Sequence, residues 1–389
     1  MLKSLSLIAS TYTVAAGPPE ELVKNLWRMN GGMDFDYNMW SGYINIPKTT
    51  KEIHYMMVES QNNPATDPLV VWFNGGPGCS SMLAFIQEHG PWLIMDGSEH
   101  DAPLTKNEFS WNKEANILYI EQPAGVGYSW CDFANHPEQC AFDDNSMAAD
   151  NVEAIVGWYD KFPEFKKNDL YISGESYGGM YVPFTVNAIH HHNAVHSRDP
   201  TAFKPNLKGF MVGNGCTNWK YDTEPAYMEM AYYHSLYPGA TWEAIQSNNC
   251  LQEYYDENWK GGSVGKVCDG LREEFGKAVD KVNVYNIEGP CWGAGQDKAS
   301  KYGFTKVNNK FMPYKKYSSA SEYTPWTKHA LREAELGVVP PCVFGQELID
   351  YFNTPAVKTA LHINPDHDLP WDLCASYDEW KYSPLEIGS

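Results

Sequence analysis

The stretch that decides the fold is LYISGESYGGMYVP, which runs from Leu170 to Pro183. It begins as an apolar, strand-like run, places Ser176 between Gly174 and Gly178, and continues into a helix-like run. A G-x-S-x-G pattern between a strand and a helix is typical of a nucleophile elbow, a tight turn that lifts the serine hydroxyl above a sheet and points a helix N-terminus at it. The pattern is short and also arises by chance, but this strand–turn–helix setting favours a nucleophilic serine.

Three other apolar runs end in glycines in the same way, at 68–76, 116–127 and 207–215. Each is predicted to be a buried strand, because continuous apolar runs are typical of strands that are covered on both faces. Helical segments lie between them. Strands that alternate with helices predict an α/β fold with a mostly parallel sheet, and ligands of such sheets gather at the carboxyl ends of the strands.

Two helices and one insertion complete the predicted organisation. The first helix starts near residue 144, where Asp144, Asn145 or Ser146 can cap it. The segment Tyr351–Ile363 is predicted to return to the core as a second helix. Between them the strand–helix rhythm stops, so about 216–345 is predicted to be a cap-like insertion over the strand ends. The whole of 17–389 then forms one α/β domain.

The composition narrows the class of protein. A chain with 43% hydrophobic and 20% charged residues is globular, and its net charge of −20 disfavours nucleic acid, which requires clusters of Lys and Arg. Nine cysteines without CxxC pairs argue against a zinc site and fit an oxidising compartment. Residues 1–16 resemble a signal peptide with a weak apolar core, and no window has the apolar length of a membrane span.

A nucleophilic serine also needs two N–H donors at the place where the oxyanion of the attacked carbonyl will form. One donor normally comes from the residue after the nucleophile, here Tyr177. The other should come from a glycine-rich turn after an earlier strand, and NGGPG, from Asn74 to Gly78, is such a turn. Alone this pattern could be a simple tight turn; together with the elbow it favours an active site.

Four segments, WFNGGPGCSS, EQPAGVGYSW, GESYGGMYVP and GNG, occur in the order and approximate spacing of the serine carboxypeptidase family. From about Val23 to Trp380 the chain resembles that family, most weakly in the predicted insertion. The resemblance implies an α/β-hydrolase fold without a cofactor or a metal. It also implies that Ser176 is the nucleophile and that the N–H groups of Gly76 and Tyr177 form the oxyanion hole.

The resemblance further implies a substrate, which is a peptide or protein with a free C-terminal carboxylate. It assigns the binding of that carboxylate to four residues, with Trp72 supporting them: Asn74, Gly75, Glu88 and Glu175. Three carboxyl groups in a confined site cannot all ionise cheaply, so one proton must be shared and the pKa of a glutamic acid must rise above about 4.3. We therefore expect an acidic pH optimum. Without the resemblance, Glu88 alone would be interpreted as a carboxylate on a surface helix.

Disulfides and a compartment follow from the same resemblance. It implies three pairs, Cys79–Cys374, Cys291–Cys342 and Cys250–Cys268. A fourth pair, Cys131–Cys140, is our inference from their closeness within one loop, and Cys216 is left over. The expected location is the secretory pathway, lysosomal or vacuolar or extracellular.

A serine hydroxyl needs a base and a group that orients the base. The family has the order Ser, Asp, His, with the Asp in a G-D-x-D-like segment and the His in a G-H-M-V-P-like segment. Neither pattern occurs between Cys374 and Ser389. The remaining candidates lie in a segment that the resemblance predicts to be a solvated surface loop: His362, Asp366, His367 and Asp368. The run His190 to His192 could suggest a metal, but consecutive residues of a helix cannot all face one ion.

Several functional hypotheses therefore stay open. The Asp and His could be supplied by a second chain, the sequence could be incomplete, or the protein could be a non-catalytic family member that acts as a binding or protective subunit. The complete set of five site residues favours the first two: Asn74, Gly76, Glu88, Glu175 and Ser176. An acyltransferase, which passes the acyl group to an alcohol instead of water, would use the same serine.

Overall fold

The computed structural model describes residues 17–26, 35–94, 104–218, 221–251, 265–280, 282–283, 285–288, 304–307, 310–313, 346–367 and 370–375. The predicted signal peptide 1–16, the predicted Cys291–Cys342 pair and Asp368 lie outside these residues. Much of the segment 216–345 does so too, so the cap-like insertion stays a prediction.

A six-stranded sheet is the centre of the described structure, in the spatial order β1-β2-β6-β3-β7-β8. The strands are β1 (Met39–Asn45), β2 (Glu52–Val58), β3 (Leu69–Phe73), β4 (Trp92–Leu93), β5 (Thr105–Lys106), β6 (Asn116–Ile120), β7 (Leu170–Glu175), β8 (Leu207–Gly213), β9 (Phe304–Val307) and β10 (Lys310–Pro313). The small pairs β4–β5 and β9–β10 stand outside the sheet. The helices are α1 (Asp144–Lys161), α2 (Gly178–Val195), α3 (Thr223–Tyr233), α4 (Gly239–Ser247), α5 (Lys266–Val279), α6 (Gln346–Phe352) and α7 (Pro355–Ala360).

The direction of the strands explains where the glycine-rich motifs meet. Strands β6, β3, β7 and β8 are parallel, whereas β1 and β2 form an antiparallel hairpin that also pairs antiparallel with β6. The motifs that begin at Asn74, Glu121 and Ser176 each follow the carboxyl end of one parallel strand. They therefore lie at the same edge of the sheet. The predicted α/β fold with a mostly parallel sheet is confirmed.

Two hydrophobic cores cover the two faces of the sheet, because successive residues of a strand point to opposite faces. Val71 and Ile172 face the core that α1 and α2 share with the sheet. Val70 and Tyr119 face the second core, to which the segment 346–375 contributes. Both faces of the central strands are thus buried, which explains why their sequences are continuously apolar.

The prediction of a buried strand at 207–215 is only half right. Residues Leu207–Gly213 form β8, but Phe210 is 54% exposed and Met211 is 43% exposed. Within the described part of the chain β8 pairs only with β7, so it is the edge of the sheet. An apolar strand in the sequence does not reveal whether a neighbour is present to cover it.

The N-cap prediction for α1 was wrong by one residue. The cap is Asp143, whose carboxylate accepts the N–H of Ser146 at 2.7 Å, while the Ser146 hydroxyl accepts the N–H of Asp143 at 2.9 Å. Ser146 is thus the third helical residue of a capping box and not the cap itself. The buried face of the helix includes Ala148, Val152, Ile155 and Tyr159, and Val156 is half-buried.

The segment Tyr351–Ile363 returns to the core, but as two short helices and not one. Helix α6 ends at Phe352, and α7 begins at Pro355, which has no N–H to continue a helix and suits a first turn. Both helices pack against the second core through Leu348, Phe352 and Val357.

Three of the four expected disulfides are present, Cys79–Cys374, Cys131–Cys140 and Cys250–Cys268, and Cys216 is a free thiol. The first disulfide is flanked by two backbone hydrogen bonds, from Ser80 N–H to Leu373 O and from Ala375 N–H to Gly78 O. It therefore fastens the glycine-rich turn to the segment near residue 374. None of the helices in the described ranges is both long and apolar enough to cross a bilayer.

Candidate active site

Ser176 occupies the strained turn between β7 and α2. Its φ is +55°, a left-handed value that few residues other than glycine adopt. Two backbone hydrogen bonds stabilise this strained conformation: the Ser176 N–H donates to Gly213 O at 3.1 Å, and the Ser176 carbonyl accepts the N–H of Cys216 at 2.7 Å. Gly174 is required before the turn because a Cβ there would lie 2.6 Å from Phe73 O. The hydroxyl is half-buried above the sheet, as expected for an elbow.

The glycine-rich turn touches the elbow directly. A Cβ on Gly75 would lie 2.5 Å from Tyr177 N and 2.6 Å from Ser176 Cβ, so only a glycine leaves room beside Ser176. Gly76 has a φ of +116°, and its N–H makes no hydrogen bond within the described part of the chain. The turn is fixed from behind, because Gly78 N–H donates to the Tyr181 hydroxyl at 2.8 Å. This is the arrangement that an oxyanion hole requires.

A carboxyl cluster lies next to Ser176 and is organised by one amide. Asn74 Nδ2 donates to Glu88 Oε1 and to Glu175 Oε1, each at 2.9 Å, so both of its hydrogens are used. Its own Oδ1 accepts the indole N–H of Trp72 at 2.9 Å. Trp72 thus fixes which side of the amide faces the two carboxyls, and Glu175 connects the cluster to the nucleophile because it precedes Ser176 in the chain.

The electrostatics of this cluster favour a retained proton. Burial, together with the negative charge of Glu175, raises the pKa of Glu88 to about 8. Burial also raises the pKa of Glu175, although hydrogen bonds from Asn74 and Glu88 oppose that shift. Two carboxyls that share one proton carry a single negative charge over a broad pH range.

The candidate histidines do not join this site. Neither His362 nor His367 hydrogen-bonds to Ser176 Oγ in the described structure. The expectation of a solvated loop is wrong for His367, whose ring stacks on Trp130 at 4.8 Å between centroids and faces Glu52 at 3.5 Å. The His367 ring is thus packed against Trp130 and Tyr43 and does not extend into solvent.

The run His190 to His192 lies in the last part of α2. His192 Nε2 is 3.1 Å from Phe203 O, while His190 and His191 are exposed. Within the residues that the structure describes, no three His, Cys, Asp or Glu side chains are grouped as metal ligands.

Sequence reasoning missed the residue that supports the glycine-rich turn from below. Glu121, fully buried after β6, accepts hydrogen bonds from His54 Nδ1 at 2.7 Å, from Trp371 Nε1 at 3.0 Å and from the Ser80 hydroxyl. It links β2, the turn and the segment near residue 371. The signal in the sequence was a charged residue directly after an apolar strand, a place where a carboxylate needs several donors.

The parallel sheet, the elbow and the glycine-rich turn together define the α/β-hydrolase class. Residues 30–386 match the family model of serine carboxypeptidases. Because that match spans most of the chain, the protein belongs to the serine carboxypeptidase family.

Curated relatives agree with this assignment. The chain is 34% identical to the lysosomal protective protein of Mus musculus over 361 residues, which is 90% of this chain and 69% of that protein. It is 31% identical to serine carboxypeptidase-like 21 of Arabidopsis thaliana, over 97% of this chain and 77% of that protein. Serine carboxypeptidase ctsa-4.1 of Caenorhabditis elegans is 30% identical over 96% of this chain and 73% of its own length.

A solved structure has the same fold. The prohormone-processing carboxypeptidase Kex1Δp of Saccharomyces cerevisiae superposes with a TM-score of 0.59 at 21% identity, over 87% of this chain and 66% of that one. The chain thus spans roughly two thirds to three quarters of the length of these relatives.

Proposed function

We propose that the protein is a serine carboxypeptidase that removes the last residue of a peptide. Ser176 Oγ attacks the final peptide carbonyl, the C-terminal amino acid leaves with a proton, and an acyl-enzyme remains. Water then cleaves the ester and releases the shortened peptide. The observation that carries the proposal is the Asn74–Glu88–Glu175 cluster beside a strained serine.

The carboxyl cluster gives a physical reason for preferring a terminal carboxylate. If Glu88 keeps its proton, it can donate a hydrogen bond to an incoming carboxylate, and the N–H of Gly75 offers a further donor. Asn74, whose two amide hydrogens are bound to Glu88 and Glu175, orients these carboxyls for the substrate. An internal peptide bond has no charged terminus for these groups to bind. Because the donor is lost when the shared proton leaves, peptide binding should be strong at acidic pH and weaken as the pH rises through about 8. We accordingly propose that the enzyme favours the acidic side of that range.

The oxyanion is proposed to form between the N–H groups of Gly76 and Tyr177. The contact of Gly75 with Tyr177 N supports this position, because it places the turn and the elbow side by side. Donors fixed in this way require no rearrangement when charge develops on the carbonyl oxygen.

The base is proposed to reach Ser176 across the outer edge of β8. No described histidine hydrogen-bonds to the Ser176 hydroxyl, and β8, whose carboxyl end accepts the Ser176 N–H, presents an unpaired edge in the described structure. A further strand on that edge, from the same polypeptide or from a second chain, would cover Phe210 and Met211 and bring a histidine and an aspartate to the site. A binding or protective subunit without catalysis is the alternative.

Labelling of the native-source protein with a fluorophosphonate probe near pH 5 tests the proposal. Peptide mapping would locate the label, a Ser176→Ala variant provides the control, and the intact mass would show whether further polypeptide is present. A label on Ser176 followed by release of C-terminal residues supports a carboxypeptidase. Label without peptide hydrolysis, but with acyl transfer to an added alcohol, would indicate an acyltransferase. No label would indicate the non-catalytic subunit.

The proposed location is the secretory pathway, either lysosomal or vacuolar or extracellular. Three disulfides suit an oxidising compartment, and the mouse relative is named as a lysosomal protein. Fractionation of source cells, with the Cys79–Cys374 peptide recovered under non-reducing conditions, tests this location.

A further inference from the structure

A loop outside the catalytic motifs holds the backbone on which Glu88 stands. The amide of Asn107 donates to Glu88 O at 3.2 Å and to Gly90 O at 2.9 Å. The N–H of Trp111 donates to His89 O at 2.9 Å. Three consecutive carbonyls are therefore bound by one short loop, 107–111. Asn107 is 4% exposed, so its lost hydrogen bonds could not be replaced cheaply by water.

The same loop also reaches the other side of the cluster through aromatic rings. The Trp111 indole stacks on the His89 ring with 4.2 Å between centroids, and His89 meets Trp72 edge-on at 4.3 Å. Trp72 in turn donates its indole N–H to Asn74 Oδ1. The loop thus contacts Glu88 through its backbone carbonyl. It reaches Asn74 through three rings in contact with one another, those of Trp111, His89 and Trp72.

We infer that Asn107 and Trp111 are positioning residues, which hold Glu88 and Asn74 in the geometry that keeps one proton shared with Glu175. Neither residue touches the reacting atoms. The part of the inference that concerns terminal carboxylates rests on the proposed function, whereas the part that concerns the shared proton does not.

The surroundings of Glu88 show why its position matters. Glu175 approaches it from β7 and Tyr119 from β6. The pKa of Tyr285 is raised by burial first and then by nearby groups that include Glu175 and Glu88. On its own segment, burial lowers the pKa of His89 to about 3, so that ring is neutral and adds no positive charge. The charged side chains near the loop, Lys106, Glu108 and Lys113, are exposed. Because burial is the main cause of the raised pKa of Glu88, a rotation that admitted water would lower that pKa.

Two substitutions at Trp111 form the central test, because this side chain is 39% exposed and its removal should leave the fold intact. Trp111→Ala removes the stacked ring but keeps the backbone N–H, and Trp111→Phe restores an aromatic ring. Phe109→Ala is the matched control, since Phe109 lies on the same loop with an 87% exposed side chain. Asn107→Leu, of similar size but without donors, tests the backbone route.

The first measurement is the titration of Glu88 by NMR of protein labelled with ¹³C at the glutamate carboxyl carbons, with Glu88→Gln to assign the signal. We expect the midpoint to fall by about one pH unit or more in Trp111→Ala and in Asn107→Leu, since hydration favours the charged form. Phe109→Ala should titrate like the wild type, and Trp111→Phe nearly so. Unchanged midpoints in both Trp111→Ala and Asn107→Leu would overturn the inference.

The second measurement is the affinity, at pH 8, for a peptide with a free C-terminal carboxylate and for the same peptide with a C-terminal amide. At this pH the wild type still holds part of the Glu88 proton, and a lower midpoint removes it. A Ser176→Ala background prevents turnover. In Trp111→Ala we expect the affinity for the peptide with a free carboxylate to fall about tenfold and the affinity for the amidated peptide to stay the same. An equal loss of both affinities would mean a merely structural role and would overturn the inference. If the wild type does not bind the peptide with a free carboxylate more tightly than the amidated peptide, the proposed function fails. The titration of Glu88 still decides whether Asn107 and Trp111 are positioning residues.

Discussion

The packing around Ser176 differs between the side of β3 and the side of β8 in the described part of the chain. On the side of β3, the glycine turn, the carboxyl cluster and the stacked rings are packed and hydrogen-bonded, with Asn74 2% exposed and Glu121 fully buried. On the side of β8, the sheet ends at an unpaired edge that exposes Phe210 and Met211. Within the described residues, the side of Ser176 that is proposed to bind the substrate is closely packed, and the side that is proposed to receive the base is open.

The largest expected effect is the loss of the nucleophile. Ser176→Ala should abolish fluorophosphonate labelling and reduce peptide hydrolysis by about four orders of magnitude or more, because a triad acts as a unit. The measurement is kcat/KM for a peptide with a free C-terminus. Residual hydrolysis within tenfold of the wild type would show that another group does the chemistry.

A pair of glycine substitutions tests the difference between the two sides. Gly75→Ala places a Cβ 2.5 Å from Tyr177 N, whereas a Cβ on Gly213, at the end of β8, meets no atom within 4 Å. We expect Gly75→Ala to lower kcat by about 10² to 10³, the usual cost of losing an oxyanion donor. Gly213→Ala should stay within about threefold of the wild type. Equal losses would mean that both sides of Ser176 are tightly packed.

Glu88→Gln should reduce peptide affinity about tenfold and flatten its pH dependence, because the amide donates without titrating. It should also change stability with a defined sign. Since the folded protein holds the Glu88 proton up to about pH 8 and the unfolded chain releases it near 4.5, the wild type loses stability as the pH rises through that interval. Thermal melts from pH 4 to pH 9 should show this decline in the wild type and less of it in Glu88→Gln. Parallel curves would indicate that Glu88 is ionised throughout.

The smallest effect is expected at the open edge. In the 389-residue chain on its own, Phe210→Ser should change the free energy of unfolding by at most about 0.5 kcal/mol, since the side chain is 54% exposed there. Ile172→Ala, in the buried neighbour β7, should cost about 2–5 kcal/mol and is the comparison. Denaturant melts measure both. A loss above about 2 kcal/mol for Phe210→Ser in the native-source protein would show that a further strand covers the edge there.

Much of the fold could be predicted from local sequence. The strands at 69–73, 116–120 and 170–175 and the helices α1 and α2 follow from apolar periodicity, from glycines at strand ends and from helix signals, and all of them form. These features depend on neighbours within a few residues. Where the prediction failed, at the cap of α1 and at the break between α6 and α7, the error was a choice between adjacent polar residues or the neglect of Pro355.

The candidate site was predictable only in part. The G-x-S-x-G pattern indicated Ser176 without comparison to any related protein, because the turn requires its glycines and its serine within five consecutive residues. Glu88 required the family resemblance, since 87 residues separate it from Glu175 in the sequence. Three residues were not identified as part of the site: Glu121, Asn107 and Trp111. Their hydrogen bonds join groups that lie many residues apart in the sequence, so no periodic pattern reveals them.

The sequence by itself determined the order of strands and helices, the strained serine between its glycines and the family of the protein, since each depends on short patterns. The tertiary structure alone decided which carboxyls share a proton, which rings hold Trp72 in place and which strand is left at the edge. The physical reason is that burial, charge repulsion and strand pairing depend on distances between residues that are far apart in the chain. A sequence pattern states which groups are available, and the packing of the fold sets the energy of bringing them together.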